Sequence, residues 1–176
     1  MENPDYYTSR SDNGEWYTPK WFIDKVVDVL GSIDLDPYSC DVAQRTVQAT
    51  HYFTKEHDAL LHDWPTVETL FANPPYGRKF LDPMVRRLVK EYDAGTWSRG
   101  IILVNNATDT RWFRELEGIS IAICTVHQRI RFNDAEGSMA VHNFNTRGQI
   151  VLYIGDDELR FRDGFADIGH VYQRIT

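Results

Sequence analysis

Thr69-Leu70-Phe71-Ala72-Asn73-Pro74-Pro75-Tyr76-Gly77 is an apolar run that stops at a rigid turn. The run reads as a buried strand. The two prolines that follow lack an N–H and hold φ fixed, and Pro74 pushes Asn73 into extended backbone. The turn shows a ligand an amide side chain, backbone carbonyls and an aromatic face. An exocyclic amine on a flat base needs that set: carbonyl oxygens accept its hydrogens, and a ring stacks on its plane. Taken alone, the same residues also suit a proline-rich turn with a packing tyrosine.

Working outward, helical and strand patterns alternate, which implies an α/β domain with a mostly parallel sheet. Thr18-Pro19 reads as a helix start, with Thr18 as N-cap and Pro19 in the first turn. Phe22, Ile23, Val26, Val27 and Leu30 then recur at helical spacing until Gly31. Residues 33–36 form a short strand ending in acid, 42–49 look helical, and 67–72 form the strand before Asn73. Asp82-Pro83 marks a helix start running to about residue 92. Residues 100–104 are continuously apolar, as in a strand buried on both faces. A helix is expected over 108–116 and strands over 119–124, 129–132 and 149–154. A helix over 158–168, carrying Phe161, Phe165 and Ile168 on one face, and a short strand near 170–175 complete the chain.

The 176 residues suit a single domain with a real core, with no repeats, linkers or separate target-recognition domain. No stretch is apolar and long enough to span a bilayer. Residues 1–16 have neither the basic nor the apolar segment of a secretion signal. Cys40 and Cys124 are expected to be buried and show no metal-ligand spacing, so a reduced, cytoplasmic protein without a metal site is expected. The net charge of −7 argues against a nucleic-acid partner, although local basic patches survive a global sum. Two candidates are Arg78-Lys79, beside the Asn-Pro-Pro-Tyr turn, and Arg129-Arg131 with Arg147. Arg86, Arg87 and Lys90 read as a solvated helix face.

Ligands of open α/β sheets sit outside the carboxyl ends of the strands. Two predicted strand ends carry distinctive chemistry, Asp34-Leu35-Asp36-Pro37 and Asn73-Pro74-Pro75-Tyr76. If these strands are neighbours, acid and turn line one crevice. The ordered set Trp16-Tyr17-Thr18-Pro19, Asp34-Leu35-Asp36-Pro37, Asp58-Ala59-Leu60 with Trp64, and Asn73-Pro74-Pro75-Tyr76-Gly77 resembles the phage-type DNA N6-adenine methyltransferases. The likeness continues through Arg129-Ile130-Arg131-Phe132 to Phe165-Ala166-Asp167-Ile168-Gly169. It implies a Rossmann-like fold dependent on S-adenosylmethionine (SAM), with a seven-stranded-type sheet and helices on both faces. It further implies double-stranded DNA as partner, a bacterial host cell as location, and a monomer or homodimer.

The resemblance also implies roles for individual residues. Tyr17, Thr18 and Pro19 would lie at the methionine end of SAM, and Asp36 with Pro37 would face its amine. Asp58 would contact its adenine ring, with Thr54 and Glu56 as weaker candidates for the ribose. Asn73, Pro74, Pro75 and Tyr76 would hold the flipped target base. Arg78, Lys79, Arg129, Arg131, Phe132 and Arg147 would face DNA, with residues 132–148 either a DNA-reading loop or a plain hairpin connection. The sequence departs from the pattern after Asp36, where Pro37-Tyr38-Ser39-Cys40-Asp41 contains no glycine. The short distance from Asp36 to Asn73 also points to a trimmed sheet where the ribose normally sits. Two alternatives stay open: methylation of glutamine amides in protein, and a catalytically inactive SAM-fold module.

Overall fold

Seven strands form one mixed sheet in the order β2-β1-β3-β4-β6-β5-β7. The computed structural model describes residues 17–75, 78–133 and 147–175, with the side chains of 78–80 also outside the description. The strands are β1 (Leu35–Asp36), β2 (His51–Tyr52), β3 (Thr69–Ala72), β4 (Arg99–Asn105), β5 (Ala122–Val126), β6 (Gln149–Ile154) and β7 (Gly169–Gln173). The pairs β1–β2, β1–β3 and β3–β4 are parallel, and β4–β6, β5–β6 and β5–β7 are antiparallel. Strands β1 to β5 therefore point one way, and β6 and β7 run against them.

Burial on both faces explains the apolar runs. Phe71, Ile101 and Leu103 face one cluster with Phe22, Val26, Phe161 and Phe165 from α1 (Lys20–Leu30) and α5 (Glu158–Phe165). Leu70, Ala72, Ile102 and Val104 face the other, with Val85, Leu88, Phe113 and Leu116 from α3 (Arg78–Asp93) and α4 (Arg111–Ile119). Alternate residues along each strand feed opposite layers, as the period of two requires. The short helix α2 (Asp41–Val47) joins β1 to β2.

Several sequence expectations shift. Val27 is 37% exposed, and Val29 takes its place in the core. Helix α3 begins at Arg78 and carries Pro83 inside it, rather than starting at Asp82-Pro83. Helix α4 starts later than expected because Thr110 caps it, accepting from the Phe113 N–H at 3.4 Å. Residues 119–120 consequently finish that helix, and β5 is displaced to Ala122–Val126.

The expected strand at 129–132 does not form. Ile130 and Phe132 are buried while Arg129 and Arg131 are exposed, so the alternation is real. It cannot flank β6 as a hairpin arm, because β6 already has β4 and β5 on its two sides. The Ile130 N–H instead donates to the Gln149 side-chain oxygen at 3.2 Å.

Candidate active site

The two acid-bearing and turn-bearing strand ends are neighbours: Leu35 of β1 pairs with Leu70 of β3. The acids beside them do different work. Asp34 lies at the entry to β1, where its carboxylate accepts from the Thr69 and Glu68 N–H groups at 3.0 and 3.2 Å. Burial pushes this carboxyl up. Hydrogen bonds from the Thr69 amide and hydroxyl, the Glu68 amide and Ser32 outweigh burial and leave it below its ordinary value. Asp34 thus fastens β1 to β3, a structural task.

Asp36, at the carboxyl end of β1, is only 3% exposed. Its carboxylate accepts from Gln44 Nε2 at 2.9 Å and from the Tyr38 N–H at 3.4 Å. Burial is the dominant influence and pushes its pKa up to about 6, against the lowering effect of hydrogen bonds from Ser39, Tyr38 and Gln44. These partners are all neutral, so the anion is poorly compensated. Gln44 also donates to Ser39 Oγ at 2.7 Å and accepts from the Ala49 N–H at 2.8 Å, which fixes its amide.

The missing glycine after Asp36 has a structural counterpart. The Ser39 N–H donates to the Phe53 carbonyl and the Phe53 N–H to the Asp36 carbonyl, at 3.0 and 3.1 Å. The Tyr38 N–H turns back onto Asp36 itself. The loop's amides thus serve the sheet edge, and the buried Pro37 stiffens the exit from β1.

Asn73 leaves β3 half-buried, and its Nδ2 donates to Thr18 Oγ1 at 3.1 Å. Pro74 is buried and Pro75 exposed. Thr18 does not cap α1: Pro19 occupies the N-cap position, and no side chain caps the helix. The expectation of a Thr18 cap fails because its hydroxyl is turned to Asn73. Thr18, Asp36 and Asn73 line one small cavity of about 30 Å³, with Tyr38, Ser39, Ala43, Val47 and Phe71. Tyr76 lies outside the described residues. Arg78 and Lys79 open α3, and their side chains lie outside the description.

A larger cleft, about 420 Å³, opens at the β2 edge between His51, Tyr52, Phe53, His57, Asp63, Trp64 and Pro65. That volume lies within the usual range of small-molecule sites. The Phe53 and His57 rings stack at 5.3 Å and 5°, and His57 stacks on His62 at 3.9 Å. Asp58 is not among the residues lining either space. Its carboxylate accepts from the Leu60 N–H at 2.8 Å and shapes the turn that carries the cleft wall. Thr54 similarly accepts from the His57 N–H at 3.2 Å.

Arg87 holds this wall from behind. Its guanidinium lies 5.4 Å from the Trp64 ring centre, donates to the His62 and Leu60 carbonyls at 2.9 and 3.3 Å, and sits 2.8 Å from Glu91. The solvated-face expectation therefore fails for Arg87, whose side chain reaches back along α3 into the wall.

The end of the sheet that carries Asn73 also carries basic side chains. Residues 129–132 follow the carboxyl end of β5, and Arg147 precedes β6, whose first residue Gln149 pairs with Asn105 at the carboxyl end of β4. Arg129, Arg131 and Arg147 are exposed there. Phe132, expected to face DNA, is instead 2% exposed and packs in the core. Tyr17, 8% exposed, exchanges two backbone hydrogen bonds with Asn133 at 3.2 and 2.8 Å, which ties this segment to the residues that precede α1. His142, Asn143, Asn145 and Thr146 of the proposed reading loop lie outside the described residues.

Sequence reasoning missed Gln44, Gln149, Arg87 and the aromatic cleft. Gln149 donates to the Asn105 side chain and the Arg147 carbonyl at 3.3 and 2.8 Å. Only Trp64 carried a prior signal, through the family resemblance.

The family model described as DNA N-6-adenine-methyltransferase (Dam) matches residues 6–161. No curated protein matches the sequence. Among solved structures, the fold is similar to that of a dimethyladenosine transferase from Plasmodium falciparum, with a TM-score of 0.50 at 11% identity. The match covers 84% of this chain, which spans 65% of the length of that structure. At this identity the likeness is one of fold. Among the described residues, no helix is long and apolar enough to cross a membrane.

Proposed function

The chain belongs to the DNA N-6-adenine-methyltransferase (Dam) family, and on that premise we propose that it methylates adenine N6 in double-stranded DNA with SAM as donor. The target base, buried in the duplex, is flipped out into the crevice at Asn73, Pro74, Pro75 and Tyr76. The observation that carries this reading is the Thr18–Asn73 hydrogen bond beside the buried Asp36, at the carboxyl ends of adjacent strands.

The residues present fit the cofactor. Asp36 is a buried acid whose hydrogen-bond partners are neutral, and an ammonium group supplies the missing countercharge. The amino end of α1, opening after Thr18 and Pro19, favours a carboxylate. The cleft at the β2 edge, where the exposed Tyr52 ring joins Phe53 and Trp64, offers an aromatic wall to a flat ring. When bound, SAM contributes an electrophilic methyl group on a sulfonium.

The lone pair of the acceptor amine is delocalised into the adenine ring, which makes it a weak nucleophile. Asn73 Oδ1 and the Pro74 carbonyl accept its two hydrogens, favour a pyramidal nitrogen and aim the lone pair. No base is required before attack, because methylation itself acidifies the nitrogen, and the surplus proton then passes to solvent. Catalysis then rests on positioning and fixed dipoles, a contribution of about 7–11 kcal/mol for well-oriented reactants. Tyr76 stacks on the flipped base, for about 1–3 kcal/mol. Incubation with methyl-labelled SAM and DNA, followed by nucleoside analysis, tests the proposal. N6-methyldeoxyadenosine is expected, whereas 5-methylcytosine, or label confined to protein, overturns it.

A further inference from the structure

We propose that Thr18 is a positioning residue that selects which end of the Asn73 carboxamide faces the acceptor amine. This rests on the reading of Asn73 as the group that accepts from that amine. A carboxamide has two ends of similar shape and opposite hydrogen-bonding sense. Only the oxygen end serves an amine whose hydrogens must be accepted. The reversed amide would set its own N–H donors against those hydrogens.

Thr18 Oγ1 takes the nitrogen end, at 3.1 Å. A hydroxyl can pair with either end of an amide, so the direction of its own proton decides the outcome. Thr18, Asn73 and Asp36 line the same cavity, and Asp36 is the carboxylate among the residues around it. Nδ2 carries only donors, so at this contact the hydroxyl oxygen accepts and its own proton is turned elsewhere. Thr18 therefore accepts from Nδ2, and Asn73 Oδ1 faces away from it.

Two further features suit Thr18 to this task. Its hydroxyl is not used by α1, whose N-cap is Pro19 without a side-chain bond. Its backbone is held by Pro19 on one side and by the Tyr17–Asn133 bridge on the other. The residue is 5% exposed, and its β-branched side chain has restricted rotamers.

Four variants in the full chain test the inference: Thr18→Val, Thr18→Ser, Asn73→Ala and Asn73→Asp. Single-turnover methyl transfer to adenine-containing DNA and SAM affinity are read for each. Thr18→Val is expected to slow transfer by about tenfold to a hundredfold, as misplacement of a reacting group does, with SAM affinity within about threefold of the parent, because the lost hydrogen bond belongs to Asn73. Thr18→Ser restores most of the rate. In the Asn73→Asp background Thr18→Val costs much less, because the two oxygens of a carboxylate are equivalent and there is no wrong end. A purely structural Thr18 predicts the same penalty in both backgrounds, and that result overturns the proposal. Should Asn73→Asp turn over too slowly to measure, equal rates for Thr18→Ser and Thr18→Val overturn it, and restoration by Ser at unchanged SAM affinity supports it. An active Asn73→Ala removes the underlying reading and this inference together. An inactive Asn73→Ala with Thr18→Val at the parent rate removes the Thr18 role alone.

Discussion

Asp36 is the residue at which folding and ligand binding are most directly opposed. Its carboxyl titrates near 6 in the folded protein, against an ordinary value of 3.8. Between those values the folded state holds a proton that the unfolded chain has released. Stability of the ligand-free protein therefore falls as pH rises through that window, by about 3 kcal/mol in total from this group. A bound ammonium reverses the effect by stabilising the anion. Asp36→Asn is expected to melt higher than the parent at pH 8 without ligand and to bind SAM at least about tenfold more weakly. The parent's SAM affinity should rise with pH up to about 6, level, and fall again at about pH 8 as the ligand's own amine loses its proton, and the variant should lose the rise below 6. Thermal melts and calorimetry at pH 5 and pH 8 decide the matter. A lower melting temperature for Asp36→Asn, with SAM affinity unchanged, would show that the acid is structural.

At the scale of elements, α3 props up the cleft wall through one side chain. Arg87→Ala removes two carbonyl contacts and a ring contact and leaves Glu91 without its cation, with the Thr96 hydroxyl still bonded to it. It should cost about 2 kcal/mol or more. Arg87→Lys should recover little, because an ammonium cannot reproduce the planar fork. Chemical denaturation measures both, and a lysine variant as stable as the parent would reduce the clamp to a simple charge.

The β5–β7 edge offers a second element-scale test. A Cβ at Gly169 would collide with Cys124 Sγ and lie 2.5 Å from the Thr125 carbonyl oxygen, whereas one at Gly118 in α4 meets nothing within 4 Å. Gly169→Ala should cost about 1–3 kcal/mol. Gly118→Ala should be neutral, or stabilising by up to about 1 kcal/mol. Equal melting temperatures for the two would mean that β7 yields freely.

Taken whole, the molecule carries a net charge of −7, so any DNA face must be a local patch. Asp156, Asp157 and Glu158 follow β6 at the end where Ile154 pairs with Gly100, away from Asn73. Arg129, Arg131 and Arg147 lie at the opposite end, beside the crevice. A local cluster of this kind attracts phosphates despite the unfavourable sum. Removing any one of these arginines from a phosphate contact should weaken DNA binding for all sequences and lower the salt slope by about one. Arg78 and Lys79 belong in the same series, since α3 opens directly beside the Asn-Pro-Pro-Tyr turn. DNA affinity measured against salt for the five single variants tests the face, and five unchanged slopes would place DNA elsewhere.

Much of this protein was legible in local chemistry. The end of β3 at Ala72 follows from the two prolines beyond it, the helix end at Gly31 from a glycine at φ 90°, and the order of elements from apolar periodicity. The order of the quoted motifs was enough for the family, because that order is itself a property of the sequence. Tertiary structure alone decided which acid faces the crevice and that β1 lies beside β3. It also decided that the Thr18 hydroxyl is bonded to Asn73, 55 positions away, and that Phe132 is buried. The alternation at 129–132 matched a strand, yet both sides of β6 were taken by β4 and β5, and Arg87 looked like one more solvated cation. Propensity and period act within a few residues. Hydrogen-bond partners and burial depend on which distant segments the sheet order brings together, and that order leaves no mark on the neighbours of any single residue.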